Sequence, residues 1–210
     1  MSKPDIDLTL YMVTDRGLMS SRTLEENIEA ACRGGVTLVQ VREKNVGTDE
    51  YIRIARDAKA VTDRYGVPLI VDDDVDAALG AGAAGVHVGQ DDADAAEVRR
   101  RIGPDMVLGV SAHTMEQAVA AEQAGADYLG VGAFSFTATK PESEIITIGD
   151  LEGILDAVDI PVVVIGGVNA RTIPNFEGLP IAGYSAVSAI VAADDVEAAA
   201  REMREAIGKQ

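Results

Sequence analysis

Five consecutive residues, Gln40-Val41-Arg42-Glu43-Lys44, carry the first sign of chemistry. In an extended segment alternate side chains face one way, so Gln40, Arg42 and Lys44 point together. An amide beside two cations suits an anionic ligand that also makes hydrogen bonds. Two acidic clusters follow: Asp72-Asp73-Asp74 with Asp76 beyond, and Gly89-Gln90-Asp91-Asp92. On adjacent strand ends they could converge on one hard cation. Magnesium prefers one or two carboxylates plus substrate phosphates and water. Asp73 and Asp92 are the expected ligands. Asp74, Asp91 and Asp94 are expected to serve caps or solvent, with Asp74 a candidate cap for the helix after it.

Further along, Ser111 ends an apolar run, and the loop 133–140 holds Thr137, Thr139 and Lys140. Two hydroxyls and an ammonium over four residues make a phosphate clamp. Gly166-Gly167 and Ser188 form a second anion region, because glycine lets a backbone N–H approach closely and a helix start adds favourable partial charge. An acidic protein that gathers its few cations in one place reads as the binder of a small, multiply charged substrate. His87, in the middle of GVHVG, reads as a hydrogen-bonded structural histidine. His113 reads as local, and Cys32 as a buried helix residue. No Ser/His/Asp arrangement has sensible placement, and two histidines cannot make a three-histidine metal site.

The elements that must position these residues alternate from end to end. β-rich runs fall at 8–14, 37–42, 68–71, 85–88, 106–110, 128–131, 161–165 and 184–187. Most are continuous Val/Ile/Leu runs, as expected of a parallel sheet buried on both faces. Helical patterns fill the intervals. Thr23 with Glu26 predicts a capping box, and Gly34-Gly35 a stop. Thr114 with Gln117 and Asp94 with Glu97 predict two further starts, and Asp194 the start of the last helix. Three segments, ACRGGVTLVQVRE, ALGAGAAGVHVG and AEQAGADYLGVG, share one helix-glycine-strand phrase, which resembles an internal βα repeat. Eight strands and eight helices in this length predict a single (β/α)₈ barrel over 1–210, with its site at the C-terminal strand ends. An open doubly wound sheet is the alternative, but TDRGLMSS after the first strand holds no dinucleotide fingerprint.

Composition narrows the function classes. The 210 residues are 47% hydrophobic, enough for a real core. No apolar run approaches the roughly 20 residues of a membrane span, and the first fifteen residues lack a signal-peptide pattern. Thirty-five acidic against 18 basic residues give −17, a balance that repels nucleic acid and anionic membranes. The single cysteine excludes an internal disulfide, so the cytoplasm is the expected compartment. Thirteen arginines but five lysines, with many aspartates, suggest a salt-rich cytoplasm. Oligomeric state is left open, a homo-oligomer included.

Nine blocks in register are similar to those of the thiamine-phosphate synthase family. They are YMVTD (11–15), VQVREK (39–44), VDDDVDAAL (71–79), GVHVGQDD (85–92), GVSAHT (109–114), GADYLGVG (125–132), TATK (137–140), VIGGV (164–168) and VSAI (187–190), spanning nearly the whole chain. The resemblance implies a (β/α)₈ barrel that joins hydroxymethylpyrimidine pyrophosphate to a thiazole phosphate and releases pyrophosphate. By position, it implies that Gln40 hydrogen-bonds the aminopyrimidine. Arg42, Lys44, Ser111 and Lys140 would hold the pyrophosphate, and Asp73 and Asp92 a magnesium ion. Thr137, Thr139, Gly167 and Ser188 would lie along the thiazole phosphate, with Val187 and Asp72 also among the substrate-binding positions.

The family's reaction is viewed as dissociative, which needs no protein nucleophile, and none is visible. Three departures stand out. Asp72 replaces a frequent Asn, Ala133 and Phe136 stand where prolines are common, and Glu142 stands where Asp is usual. Asp72 is expected either to share magnesium with Asp73, the favoured reading, or to pair with Lys44 or Lys140. A thiazole tautomerase on the same barrel, or a non-catalytic phosphate-ligand sensor, are the alternatives. The tautomerase would not need the full set of Gln40, Arg42, Lys44, Asp73, Asp92 and Lys140.

Overall fold

The computed structural model describes residues 3–134 and 145–209. Eight strands, β1 (Leu10–Val13), β2 (Leu38–Val41), β3 (Leu69–Asp72), β4 (Gly85–Val88), β5 (Val107–Ala112), β6 (Tyr128–Val131), β7 (Val162–Val164) and β8 (Gly183–Ala186), form a closed, all-parallel barrel in chain order. Closure is made by β1 pairing with β8, with Tyr11 opposite Ser185. This is the predicted (β/α)₈ barrel. Most strands begin or end one or two residues inside the sequence-based bounds, while β5 runs on through Ser111 to Ala112.

The period of two along each strand sorts side chains into two cores. Leu10 and Met12 of β1, and Val39 and Val41 of β2, pack outward with the helices. Tyr11, Val13, Leu38, Ile70, Val107, Tyr128 and Val163 fill the barrel interior. Toward the C-terminal strand ends the inward positions turn polar: Gln40, Asp72, His87 and Ser111. Polar groups therefore sit on rigid strands at one end of an otherwise apolar lumen.

The helices are α1 (Leu24–Gly34), α2 (Thr48–Arg64), α3 (Val75–Ala81), α4 (Ala95–Ile102), α5 (Met115–Gln123), α6 (Ile148–Ala157), α7 (Ser188–Val191) and α8 (Val196–Ile207). The predicted Thr23 box is half formed. Thr23 Oγ1 accepts from Glu26 N–H at 3.1 Å, while the Glu26 carboxylate turns to Arg22. Gly35, at φ +101°, ends α1 in the left-handed conformation that glycine adopts without penalty, and its N–H reaches back to Ala31 and Cys32. Thr114 and Asp94 cap α5 and α4 as expected. The last cap is Asp195, not Asp194, because Asp195 is the residue placed to accept from Ala198 N–H at 2.9 Å. Between β7 and β8 the expected helix is a single 3₁₀ turn, Ile173–Phe176, opened by Pro174. The break falls in a stretch that also holds Gly178 and Pro180. Among the described residues, no helix is long and apolar enough to cross a membrane.

Candidate active site

A cavity of about 550 Å³ opens at the C-terminal ends of the strands. Gln40, Arg42, Asp72, His87 and Ser111 line one side, and Gly166, Gly167, Val187 and Ser188 line another. Of the sequence-derived positions, Gln40, Arg42, Asp72, Ser111, Gly167, Val187 and Ser188 line this one cavity, while Lys44, Asp73 and Asp92 are not among its lining residues and adjoin it through the Lys44–Asp72 contact. Thr137, Thr139 and Lys140 lie outside the described residues.

Arg42 is held just beyond β2, where its backbone N–H donates to Thr14 Oγ1 at 3.0 Å. Its guanidinium lies 3.6 Å from Asp15 and 3.5 Å from Asp72. Lys44 reaches Asp73 and lies 3.8 Å from Asp72. Between them, Glu43 turns the other way, its shielded carboxylate pairing with the exposed Arg16 at 2.7 Å. Burial pushes the Glu43 carboxyl up, and Arg16 pulls it back only in part. Tyr51 of α2 braces the β2 and β3 ends, its hydroxyl 2.7 Å from the Val41 carbonyl and 3.0 Å from that of Asp72.

The three consecutive aspartates divide the work. Asp72 is the last residue of β3, buried and facing Arg42 and Lys44. Asp73 adopts a left-handed conformation at φ 61°, which aspartate tolerates better than most residues. Its side chain lies on the rim with Lys44, and it is near enough to Asp92 for each carboxyl to influence the other's ionisation. Asp74 caps α3 by accepting from Ala77 N–H at 2.8 Å, as expected. Asp92 accepts from Gly89 N–H at 2.8 Å. Burial and the neighbouring Asp73 push the Asp92 carboxyl up, while the Lys44 hydrogen bond holds Asp73 down against the opposing effect of burial. Two carboxylates crowded at one rim position suit a divalent cation between them. Among the described residues there is no group of three or more metal-binding side chains.

Across the cavity, Gly166 and Gly167 take φ +91° and +79°. A Cβ on Gly166 would stand 2.5 Å from the Ala133 Cβ, so the turn needs glycine for space as well as conformation. Thr172 Oγ1 and Asn169 Nδ2 both donate to the Gly167 carbonyl at 3.0 Å and fix the turn. Ser188 is the first residue of the one-turn α7.

Three features went unforeseen. His113 is not merely local: it lines the cavity and bonds the Gly132 carbonyl just beyond β6. Arg16 supplies the counter-charge to Glu43. Tyr11 and Tyr128 form a hydrogen-bonded pair inside the barrel, 2.8 Å between hydroxyls, which links His87 to Gln40. Glycines at the inward positions Gly109 and Gly130 were the available sign that large rings pass there.

Comparison with known proteins decides the family. The family described as thiamine monophosphate synthase matches residues 10–190. The chain belongs to the thiamine monophosphate synthase family. It is 48% identical over 202 residues to the thiamine-phosphate synthase of Clostridium beijerinckii, covering 96% of this chain and 97% of that one. It is 46% identical over 207 residues to the thiamine-phosphate synthase of Clostridium botulinum, covering 99% and 97%. Among solved structures, thiamine phosphate pyrophosphorylase from Pyrococcus furiosus superposes with a TM-score of 0.87 at 35% identity, covering 97% of this chain and 96% of that one. As a member of the thiamine monophosphate synthase family, the chain is a transferase.

Proposed function

We propose that this site joins hydroxymethylpyrimidine pyrophosphate to a thiazole phosphate, giving thiamine phosphate and pyrophosphate, with magnesium as cofactor. The observation that carries the reading is one cavity with an anion region at each end, cationic on the β2–β3 side and glycine-lined on the β7–β8 side. Two phosphorylated substrates held in line across a cavity need such a pair of ends. Arg42, Lys44 and Ser111 are assigned to the pyrophosphate, Gln40 to the aminopyrimidine, and Gly167, Val187 and Ser188 to the thiazole phosphate. Thr137, Thr139 and Lys140 are assigned by sequence position alone.

The Asp73–Asp92 pair fits a magnesium ion. Its carboxylates are mutual neighbours beside the cationic end, and Asp92 is the one burdened by the other's charge. Bound there, magnesium would neutralise charge on the leaving pyrophosphate. The chain's own contribution is electrostatic. The methylene–oxygen bond breaks and both its electrons leave with the pyrophosphate, toward Arg42, Lys44 and the Ser111 hydroxyl. The pyrimidine-methyl cation left behind takes the lone pair of the thiazole nitrogen, forming the carbon–nitrogen bond. No side chain need act as nucleophile, and the chain's part is to stabilise the charge that develops on the departing pyrophosphate.

The test is pyrophosphate release from the purified protein with both substrates, with and without magnesium. Release that requires both substrates and the metal is expected. Conversion of a thiazole alone would indicate the tautomerase, and binding without turnover would indicate a sensor.

A further inference from the structure

A line of hydrogen bonds crosses the barrel from Gln40 to Ser111 through three side chains to which the mechanism above gives no task. Gln40 Nε2 lies 2.5 Å from Tyr11 Oη. Tyr11 Oη lies 2.8 Å from Tyr128 Oη. Tyr128 Oη lies 3.0 Å from His87 Nδ1, and His87 Nε2 lies 3.0 Å from Ser111 Oγ. Both tyrosines are fully buried.

Proton counting gives this chain a direction. An amide nitrogen is a donor only, so Tyr11 Oη accepts from Gln40. The one proton of Tyr11 then needs an acceptor inside the barrel, and the oxygen at hydrogen-bonding distance is Tyr128 Oη. Tyr128 accepts there, so its own proton passes to His87 Nδ1. A nitrogen that accepts carries no proton, and neutral His87 therefore carries its proton on Nε2, directed at Ser111 Oγ. Ser111 accepts from His87 and keeps its own proton to donate elsewhere. Its side chain lines the cavity. At the other end, binding Nε2 to Tyr11 fixes the Gln40 amide plane and makes Oε1 the acceptor it presents.

The packing is built for this line. A Cβ on Gly109 would stand 2.2 Å from Tyr128 Cζ and 2.5 Å from His87 Nδ1, and one on Gly130 would stand 3.3 Å from His87 Cε1. The tyrosine rings meet edge to face at 5.9 Å, and His87 tilts over Tyr128 at 5.5 Å. Burial raises both phenols far above their ordinary range, so both stay protonated and able to donate.

We propose that Tyr11, Tyr128 and His87 are positioning residues that form a one-directional chain, locking His87 as the Nε2–H tautomer and so keeping Ser111 a hydrogen-bond donor to the leaving pyrophosphate. The proposal rests on the function assigned above. Its first test does not depend on activity.

That test is ¹⁵N NMR of the intact protein labelled at histidine nitrogens, at a pH alkaline enough that imidazole is neutral. The chain has two histidines, and a His87→Gln sample identifies the His87 signals. A bare Nδ1 and a protonated Nε2 are expected. A proton on Nδ1 overturns the proposal, whatever any assay shows. In Tyr128→Phe the tautomer should become mixed, and kcat should fall about tenfold with KM changed less than about twofold. A tautomer unmoved by that change, or a loss confined to KM, also overturns it. His87→Gln can accept through Oε1 and donate through Nε2, so it should retain about tenfold more activity than His87→Leu. Equal losses would mean that His87 only fills space. Where Tyr128→Phe fails to fold, the wild-type spectrum and the His87 pair still decide. A wild-type protein that shows the expected tautomer but releases no pyrophosphate would sink the assigned reaction and leave the chain's direction standing.

Discussion

One carboxylate oxygen serves two cations. Asp72 Oδ2 lies 3.5 Å from Arg42 Nε and 3.8 Å from Lys44 Nζ. The two cations stand two residues apart beyond β2, and Asp72 ends the neighbouring β3. The cationic end of the cavity is therefore partly neutralised before any anion arrives. Pairing with Lys44 was one of the two arrangements expected from sequence; the Arg42 contact was not foreseen.

Removing that charge should free both cations for a phosphate. Asp72→Asn should lower KM for the pyrimidine pyrophosphate by about fivefold or more, since unit charges near 4 Å at a protein surface interact by roughly 1–4 kcal/mol. If Asp72 instead helps hold magnesium, the half-saturation point for the metal will rise and excess magnesium will restore activity. A magnesium titration of Asp72→Asn separates the outcomes, and an unchanged half-saturation point is expected.

Arg42→Ala should act mainly on turnover. Negative charge grows on the departing pyrophosphate, so a cation there does more in the transition state than in the ground state. A loss of about 10²–10³ in kcat is expected, by analogy with a lost oxyanion donor. Steady-state kinetics check it; a change confined to KM would show equal contact with both states.

The barrel was legible because its signal is redundant. Eight β-rich runs, glycine stops and strand spacing all agree, and an error at one boundary changes nothing. Gln40, Arg42 and Lys44 were legible because strand periodicity alone puts them on one side. Arg16 was not, since its partner Glu43 belongs to the opposite phase and the loop after β1 meets the end of β2 only once the barrel has closed. Tyr11 and Tyr128 were hidden for a similar reason: in sequence they are apolar strand residues, and only closure of the barrel brings them together across 117 positions. The 3₁₀ turn after β7 shows local breakers overriding the repeat.

Arg99 should matter for stability and not for catalysis. From α4 its guanidinium donates to the carbonyls of Gly103, Met106 and Gly125 and to Asp127 at 2.6 Å. It thus ties the end of α4 to the starts of β5 and β6, on the barrel face opposite the site. Arg99→Ala leaves those carbonyls and Asp127 without that donor and should cost about 2–4 kcal/mol. Urea unfolding reads the loss, while kcat/KM should stay within about twofold of the parent.

Alkaline pH should loosen the fold through Cys32. Burial, aided by Glu29, pushes its thiol up to about 11. A group whose pKa is raised by folding stabilises below its unfolded value and loses that contribution as pH rises through the folded one. The contribution is therefore complete below about pH 8.5, the ordinary thiol value, and gone above about 11. Cys32→Ala should flatten the fall in unfolding free energy across that window by about 3 kcal/mol, measured by urea titration at several pH values. Equal slopes for parent and variant would assign the alkaline loss to the buried tyrosines.

Salt should stabilise this chain over a wide range. With 35 acidic and 18 basic residues, at least 17 carboxylates can have no cation of their own even if every pair forms. Folding compresses those like charges, and screening relieves the repulsion. The screening length falls from about 10 Å at 0.1 M to about 3 Å at 1 M, so the benefit continues into the molar range. The opposing effect is weaker ion pairing. Exposed i,i+4 pairs such as Lys59–Asp63 and Arg201–Glu197 will lose strength, but each such pair is worth only about 0.3–0.5 kcal/mol. Repulsion among the excess carboxylates should outweigh that. Each kcal/mol recovered corresponds to about 2–4 °C for a chain of this size. A melting series in potassium chloride checks the balance: a steady rise from low salt to the molar range is expected, and a flat or falling curve would remove the case for a salt-rich cytoplasm while leaving the catalytic reading unaffected.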